Sequence, residues 1–384
     1  MRGRPTERME PSPGNDMTKP LLFTPFTLGD IVLPNRIVVS PMCQYSAREG
    51  NATDWHMQHL GCLAVSNAGL LMIEATAVEP EGRISLGDLG LYSEENEAAL
   101  GRVLRGCRDF GNTPIGIQLA HAGRKGSARP PWKGGAPLKP DEGAWPTLAP
   151  SAIPFAEGWP TPVALDRGDL ERIRRAFAAT ARRAERLGID VVEMHAAHGY
   201  LLHQFLSPLS NQRSDEYGGN RKNRHRFPLE VAEDLRRVWP RALGARISGS
   251  DWVAGGLEIE DAIAFAGELK SLGFDYVCVS SGGIVPNAPI KIAPGYQVPL
   301  AAQVRAAVGI TTRAVGLIVE AKQAESIVQS GAADLVALAR SFIDDPRWVW
   351  HAAETLGAEV TYPPQYRRAE PKLWPGAALA HELD

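Results

Sequence analysis

Cysteine is scarce in this 384-residue chain, and the few cysteines stand apart: Cys43, Cys62, Cys107 and Cys278 form no CxxC pair. That spacing argues against a zinc ribbon and against the disulfide framework of a small secreted domain, so a reducing, cytoplasmic setting is the default. No long basic block is present, and 41 basic against 44 acidic residues leave a formal net charge of −3. Nucleic acid and membrane surfaces are therefore not expected partners. The first 20 residues, MRGRPTERMEPSPGNDMTKP, carry charge but no apolar stretch. They read as neither signal peptide nor membrane anchor but as a disordered leader, with Met17 as an alternative start. Also missing are a GxGxxG turn after the first candidate strand and an HExxH helix, the signatures of a dinucleotide-binding open sheet and of a zinc protease.

What the chain does have is a recurrent alternation. Apolar runs ending in small or polar residues begin at Ile37, Leu70, Pro114, Val191, Ala245, Tyr276, Arg313 and Leu335. Each reads as a buried strand, and helical periodicity fills most of the intervals. The predicted helices run from Glu94 to Phe110, Asp169 to Leu187, Phe227 to Trp239, Glu258 to Leu272, Pro299 to Val308 and Val319 to Ser330. Gly111, Gly188, Gly273, Gly309 and Gly331 follow several of them, where a left-handed residue is usual. Eight strands alternating with helices predict an α/β fold of the (β/α)8 TIM-barrel type, preferred over an open doubly wound sheet. The barrel is expected over residues 21–362, with a C-terminal tail over 363–384. The interval from His121 to Arg167 is too long for a crossover and carries Trp132, Trp145 and Trp159. It predicts a long folded flap after strand 3, over the barrel mouth.

In such a barrel the ends of the strands carry the chemistry. The fourth run closes in EMHAAHGY, placing His195, His198 and Tyr200 together. Two imidazoles can donate to one carbonyl or anionic oxygen, and a phenol close by can protonate a carbanion-like carbon. The first run ends in SPMCQY, where Cys43 near a redox group would tune it by hydrogen bonding, or would merely pack. Gln118 on the third strand would serve a ring bearing donors and acceptors, or be a structural amide; Arg246 on the fifth calls for an anionic or electron-rich partner, or for a surface ion pair. Small residues around Gly316 and Ala339, with Arg340 beside them, suit a phosphate at the loops after strands seven and eight. His195, His198 and His203 together would also admit a zinc reading.

SPMCQYSA, QLAHAGRK, EMHAAHGYLLHQFLSPLSNQRSDEYGGN and NRHRFPLE together resemble the Old Yellow Enzyme family of flavin-dependent ene-reductases, in its bacterial thermophilic-like subclass, from Leu22 to about Arg368. The resemblance implies non-covalent FMN, reduced by NADPH or NADH, and contacted by Ser40, Pro41, Met42, Cys43, Ala75, Gln118, Arg246, Gly316, Ala339 and Arg340. It implies that His195 and His198 hold the carbonyl or nitro oxygen of a small-molecule enone or nitro substrate, that Tyr45 lines the pocket, and that Tyr200 donates the proton. Cys43 is then the redox-tuning thiol. Arg368, or Arg367, would reach a neighbouring subunit's site in a homodimer or homotetramer. The subclass usually has glycine where this chain has Ala339, which predicts at most a weaker phosphate geometry.

These expectations combine into a ping-pong reduction of activated C=C bonds by hydride and proton transfer. Two alternatives differ in class: a zinc-dependent barrel hydrolase using His195 and His198, and a non-catalytic flavin-binding barrel.

Overall fold

A computed structural model of the chain describes residues 19–380; the predicted leader lies outside them but for its last two residues. The first strands are β1 (Phe26–Leu28) and β2 (Ile31–Leu33), an antiparallel hairpin turning at Gly29 and Asp30. Then come β3 (Ile37–Val39), β4 (Leu70–Ala77), β5 (Ile115–Ala120), the short pair β6 (Leu148–Ala149) and β7 (Val163–Ala164), and β8 (Val191–Ala196). β9 (Ala242–Ser248), β10 (Tyr276–Ser280), β11 (Thr311–Ala314) and β12 (Leu335–Leu338) complete the set. β3, β4, β5 and β8 to β12 pair in parallel, in chain order, and β12 closes onto β3. All eight predicted strands are the strands of this closed barrel.

Helices cover the outside: α1 (Asp54–Ala64), α2 (Glu94–Phe110), α3 (Arg167–Arg186), α4 (Leu201–Leu206), α5 (Arg221–Val238), α6 (Ile259–Ser271), α7 (Val298–Val308), α8 (Ala321–Gln329), α9 (Arg340–Asp344) and α10 (Trp348–Leu356). α5 starts six residues before the predicted Phe227, because Asn220 caps it by accepting the Asn223 N–H at 3.0 Å. Pro228 invites a start near itself, yet it stands inside the helix. Gly188, Gly273, Gly309 and Gly331 are left-handed as expected. Gly111 is not: its φ is −115°, and glycine is needed there because a Cβ would lie 2.4 Å from the Ala64 carbonyl oxygen.

One end of the barrel is plugged and the other is open to chemistry. Leu28 and Leu33 of the hairpin are fully buried against Val38, Leu70, Met72, Val191, Ala242 and Leu335 inside the barrel. Each such side chain contributes roughly 1.5–3 kcal/mol of burial. Gly244 leaves the space for a whole ring here, since a Cβ on it would sit 2.1 Å from Tyr276. At the opposite end the segment after β5 folds back over the mouth. Its Trp132 packs edge-on against Tyr45 at 5.5 Å, while Arg124 donates to the carbonyls of Ile153 (3.3 Å) and Ile284 (2.8 Å), tying flap to barrel.

Candidate active site

Strand alternation decides which residues of each run face the barrel axis. Cross-strand register sets Gln118 beside Glu193, and His195 beside Arg246, which in turn pairs with Cys278. The mouth is therefore lined from several strands, with His195, Arg246 and Cys278 in one register and Gln118 beside Glu193, two residues lower on β8.

His195 and His198 come together there. His195 Nε2 and His198 Nδ1 lie 3.4 Å apart, so one oxygen fits within reach of both. The tautomers follow from the partners. The Ala197 N–H donates to His195 Nδ1 at 3.2 Å, which places the ring proton on Nε2. Ser280 Oγ lies 2.7 Å from His198 Nε2 and 3.2 Å from Gln297 Oε1, to which it can also donate; its single proton serves one of them, and turned to His198 it leaves the Nδ1–H of His198 for a ligand. Burial first, and then the Arg246 charge, hold both imidazoles well below the usual histidine range. Both are neutral, and His195 donates through its Nε2–H.

The loop carrying them is held from three sides. His198 is left-handed, at φ 58°. Its carbonyl accepts from Lys125 Nζ at 2.7 Å, and the same ammonium donates to the Gly283 carbonyl at 2.9 Å. The next N–H, of Gly199, donates to His203 Nδ1 at 2.8 Å, and His203 Nε2 faces Asp251 at 3.0 Å. Both His203 nitrogens are thus engaged in holding the loop, so His203 is not a third ligand beside His195 and His198. That removes the arrangement on which the zinc reading depended.

Tyr200 stands perpendicular to His195, ring centres 5.0 Å apart. Burial, and then the neighbouring Cys43 and Tyr45, raise its phenol well above the usual value, so it carries its proton. Tyr45 is raised for the same first reason and lines the mouth from a left-handed position at φ 50°. Burial and the nearby Asp88 and Glu74 push the Cys43 thiol up. A protonated, half-buried thiol suits hydrogen bonding to a neighbour and does not suit nucleophilic attack.

The mouth continues into a cavity of about 300 Å³ that runs from His198 and Arg246 past Gly316 to Ala339 and Arg340. Arg246 is 9% exposed and its Nε has no hydrogen-bond partner among the described residues; Ser40 Oγ is orphaned likewise. A buried guanidinium nitrogen without an acceptor costs free energy that an electron-rich ring beside it would offset. Gly316 has φ 115°, and a Cβ on it would lie 2.6 Å from Gln297 Nε2. Backbone can approach a ligand there only because the residue is glycine. Ala339 has φ −114°, outside the left-handed region, so the alanine is accommodated without strain. Pro41 and Met42 in the loop after β3, and Ala75 on β4, flank the mouth, and β4 is bulged between Ile73 and Ala75.

Sequence reasoning missed the layer below. Glu193 and Arg313 form a fully buried ion pair inside the barrel. Glu193 also accepts from Gln118 Nε2 at 2.7 Å and from the Tyr276 hydroxyl at 2.9 Å. A charged residue two before His195 on the same strand, and another in an otherwise apolar run, were the signals for it. Arg367 and Arg368 are not at the mouth of their own chain. They are exposed on a turn, Pro364–Ala369, whose Tyr366 packs 5.9 Å from Trp350.

Comparison with known proteins gives concordant results. A family model described as the NADH:flavin oxidoreductase / NADH oxidase family matches residues 21–359. The chain is 45% identical over 350 residues to an NADPH dehydrogenase of Geobacillus thermodenitrificans (strain NG80-2), covering 91% of this chain and 98% of that protein. It is 44% identical over 349 residues to an NADPH dehydrogenase of Bacillus subtilis (strain 168), covering 90% and 98%. Among solved structures, morphinone reductase superposes with a TM-score of 0.74 at 29% identity, covering 91% of this chain and 93% of that one. Its complex with tetrahydroNAD superposes at 0.72 and 29%, covering 90% and 93%.

Proposed function

This chain belongs to the NADH:flavin oxidoreductase / NADH oxidase family, and on that premise we propose that its two-histidine mouth reduces the activated C=C bond of α,β-unsaturated carbonyl, and of nitro, compounds. It is an FMN-dependent oxidoreductase that takes its electrons from a reduced nicotinamide. The observation that carries the substrate reading is the pair of neutral imidazoles whose facing nitrogens lie 3.4 Å apart, with a protonated phenol beside them.

The residues present fit the cofactor. Arg246, with its unpartnered Nε, and Gln118, anchored from below, would serve the isoalloxazine ring. The backbone at Gly316 and Ala339, with Arg340, would hold the phosphate, while Ser40, Pro41, Met42, Cys43 and Ala75 line the rest. The chemistry a bound FMN supplies is acceptance of a hydride from the nicotinamide and its donation to an electron-poor carbon. The protein does the remainder. His195 Nε2–H and His198 Nδ1–H bind the carbonyl or nitro oxygen and stabilise the negative charge that develops on it, by a few kcal/mol per donor. Tyr200 delivers its hydroxyl proton to the α-carbon, Tyr45 lines the substrate side, and Trp132 of the flap sits over Tyr45.

We further read the protein as a cytoplasmic homo-oligomer, dimer or tetramer, in which the exposed Arg368 reaches a neighbour's mouth. Four unpaired cysteines support the compartment, and among the described residues no helix is long and apolar enough to cross a membrane.

The test is anaerobic spectroscopy of the FMN-reconstituted protein with NADPH and then 2-cyclohexenone. Bleaching followed by recovery is expected, and bleaching without recovery would refute the substrate class. Replacing both histidines by alanine should lower the recovery rate by ~1000-fold or more, and further than Tyr200→Phe does. The reverse order, with FMN occupancy equal, would refute the assignment of roles.

A further inference from the structure

A phenol that gives up its proton inside a barrel has to regain one. The Tyr200 side chain is half-buried at the mouth, and its hydroxyl has no hydrogen-bond partner among the described residues. Beside it lies a small cavity of about 10 Å³, room for about one water. Tyr200 and Asp88 are its two polar lining side chains; the rest are alanines, Gly82 and Ile84. Asp88 is 2% exposed. Its Oδ2 accepts the Ile84 N–H at 2.7 Å and its Oδ1 accepts from Ser85 Oγ at 2.8 Å. On its far side the turn from Arg83 to Gly87 reaches the surface, with Leu86 exposed.

We infer that Asp88 and one water in this cavity return a proton to Tyr200 after each turnover, a role that rests on reading Tyr200 as the proton donor. The Tyr200 O–H bond breaks as its proton bonds to the α-carbon, using the electron pair of the enolate. The phenolate then takes a proton from the cavity water, which takes one from the Asp88 carboxyl. Asp88 is reprotonated from solvent through the Arg83 to Gly87 turn. One proton is drawn from solvent per turnover, and no electrons move along this path.

The groups that face Asp88 are consistent with that duty. Glu74 of β4, with His56 of α1 on its other side at 3.2 Å, adds negative charge; Cys43 and Tyr45 approach from the loop after β3, and Tyr200 from the start of α4. Burial raises the Asp88 carboxyl, the Ser85 hydroxyl opposes it and Glu74 reinforces it, to a value of about 7. A group so placed exchanges protons in both directions at neutral pH. Tying the turn at Ile84 and Ser85 does not require an acid. Asparagine would accept from Ile84 and donate to Ser85 Oγ, so Asp88→Asn removes the proton and keeps the shape.

The experiment is the enone half-reaction of the holoenzyme, by anaerobic stopped flow from about pH 5 to 9, together with multiple turnover. For the wild type we expect multiple turnover to fall above an inflection near neutral pH. In Asp88→Asn the inflection should vanish, with later turnovers slowed roughly tenfold or more relative to the first. Asp88→Glu should restore the inflection, and Asp88→Asn should add nothing to Tyr200→Phe. A readout independent of turnover is the infrared carboxylic-acid C=O band. It should titrate near neutral pH and be absent from Asp88→Asn. A wild-type pH profile in Asp88→Asn, an equal slowing of first and later turnovers, or no titrating acid band would each overturn the relay. If Tyr200→Phe turns over like the wild type, Tyr200 itself is misassigned and the relay falls with it. An impaired Tyr200→Phe beside a wild-type-like Asp88→Asn overturns the relay alone.

Discussion

Arg313→Met isolates the polar layer under the mouth from everything above it. Glu193 is fully buried, and its carboxylate accepts from Gln118, Tyr276 and Arg313. Removing Arg313 leaves that charge in a dry barrel with two neutral donors, a loss of about 3–5 kcal/mol when one partner of a buried pair is deleted. Adding Glu193→Gln neutralises the survivor. The double variant should therefore recover about 2–4 kcal/mol of what the single variant loses, because a buried ion pair and a neutral replacement of similar shape are often equivalent. Midpoints of urea unfolding of the apoprotein, followed by tryptophan fluorescence, measure this directly.

The same pair of variants should separate stability from cofactor binding. A carboxylate only accepts, so Glu193 obliges Gln118 to turn its amide nitrogen downward and leaves the amide oxygen for the mouth. Glutamine at 193 imposes no such choice. FMN affinity of the double variant should accordingly stay about tenfold below wild type even where stability returns, the value of one well-oriented hydrogen bond. Single and double variants of equal stability would show that the Arg313 loss is packing and not charge. A double variant binding FMN as tightly as wild type would refute the orientation argument.

Two further outcomes follow from buried charge. Arg246→Met should weaken FMN binding by roughly 10- to 100-fold, the loss of charge-assisted hydrogen bonds, yet leave the apoprotein at least as stable by thermal unfolding, since the Arg246 Nε has no partner there; a destabilised apoprotein would contradict this. Asp88 ties stability to pH: its folded value of about 7 lies above the ordinary 3.8, so its contribution is full below about pH 4 and is lost as pH rises through 7, on the order of 4 kcal/mol in all. Asp88→Asn should therefore gain on the wild type in melting temperature between acid and pH 8, and a constant difference across that range would refute it.

The barrel was legible because parallel strands buried on both faces read as continuous apolar runs, each short enough to exclude a helix. The hairpin Phe26–Leu33 was not, although it plugs the barrel: three-residue strands around Gly29 and Asp30 carry too little periodicity to register. α1 and α10 escaped as well. α10 follows α9 beyond the last barrel strand, so no strand-to-strand interval calls for it, whereas α1 does fill the interval between β3 and β4 but its segment DWHMQHLGCLA carries only weak helical periodicity. The start of α5 was lost to Pro228, whose usual meaning is a boundary.

At the site, residues within one strand run announced themselves, since position in the run fixes both height and direction. His195, His198 and Tyr200 needed only their own segment. What the sequence did not disclose were partners chosen by barrel closure. Arg313 meets Glu193 across 120 residues, and Asp88 meets Tyr200 through a cavity formed by β4 and β5. Both are local anomalies, a charge in an apolar run and an acid in a turn that then disappears from solvent. A stable barrel has no need of either residue in the dark, and both converge on groups that face the mouth. Where a chain breaks its own local pattern at a position the fold then buries, the position is one whose reason lies in the chemistry above it.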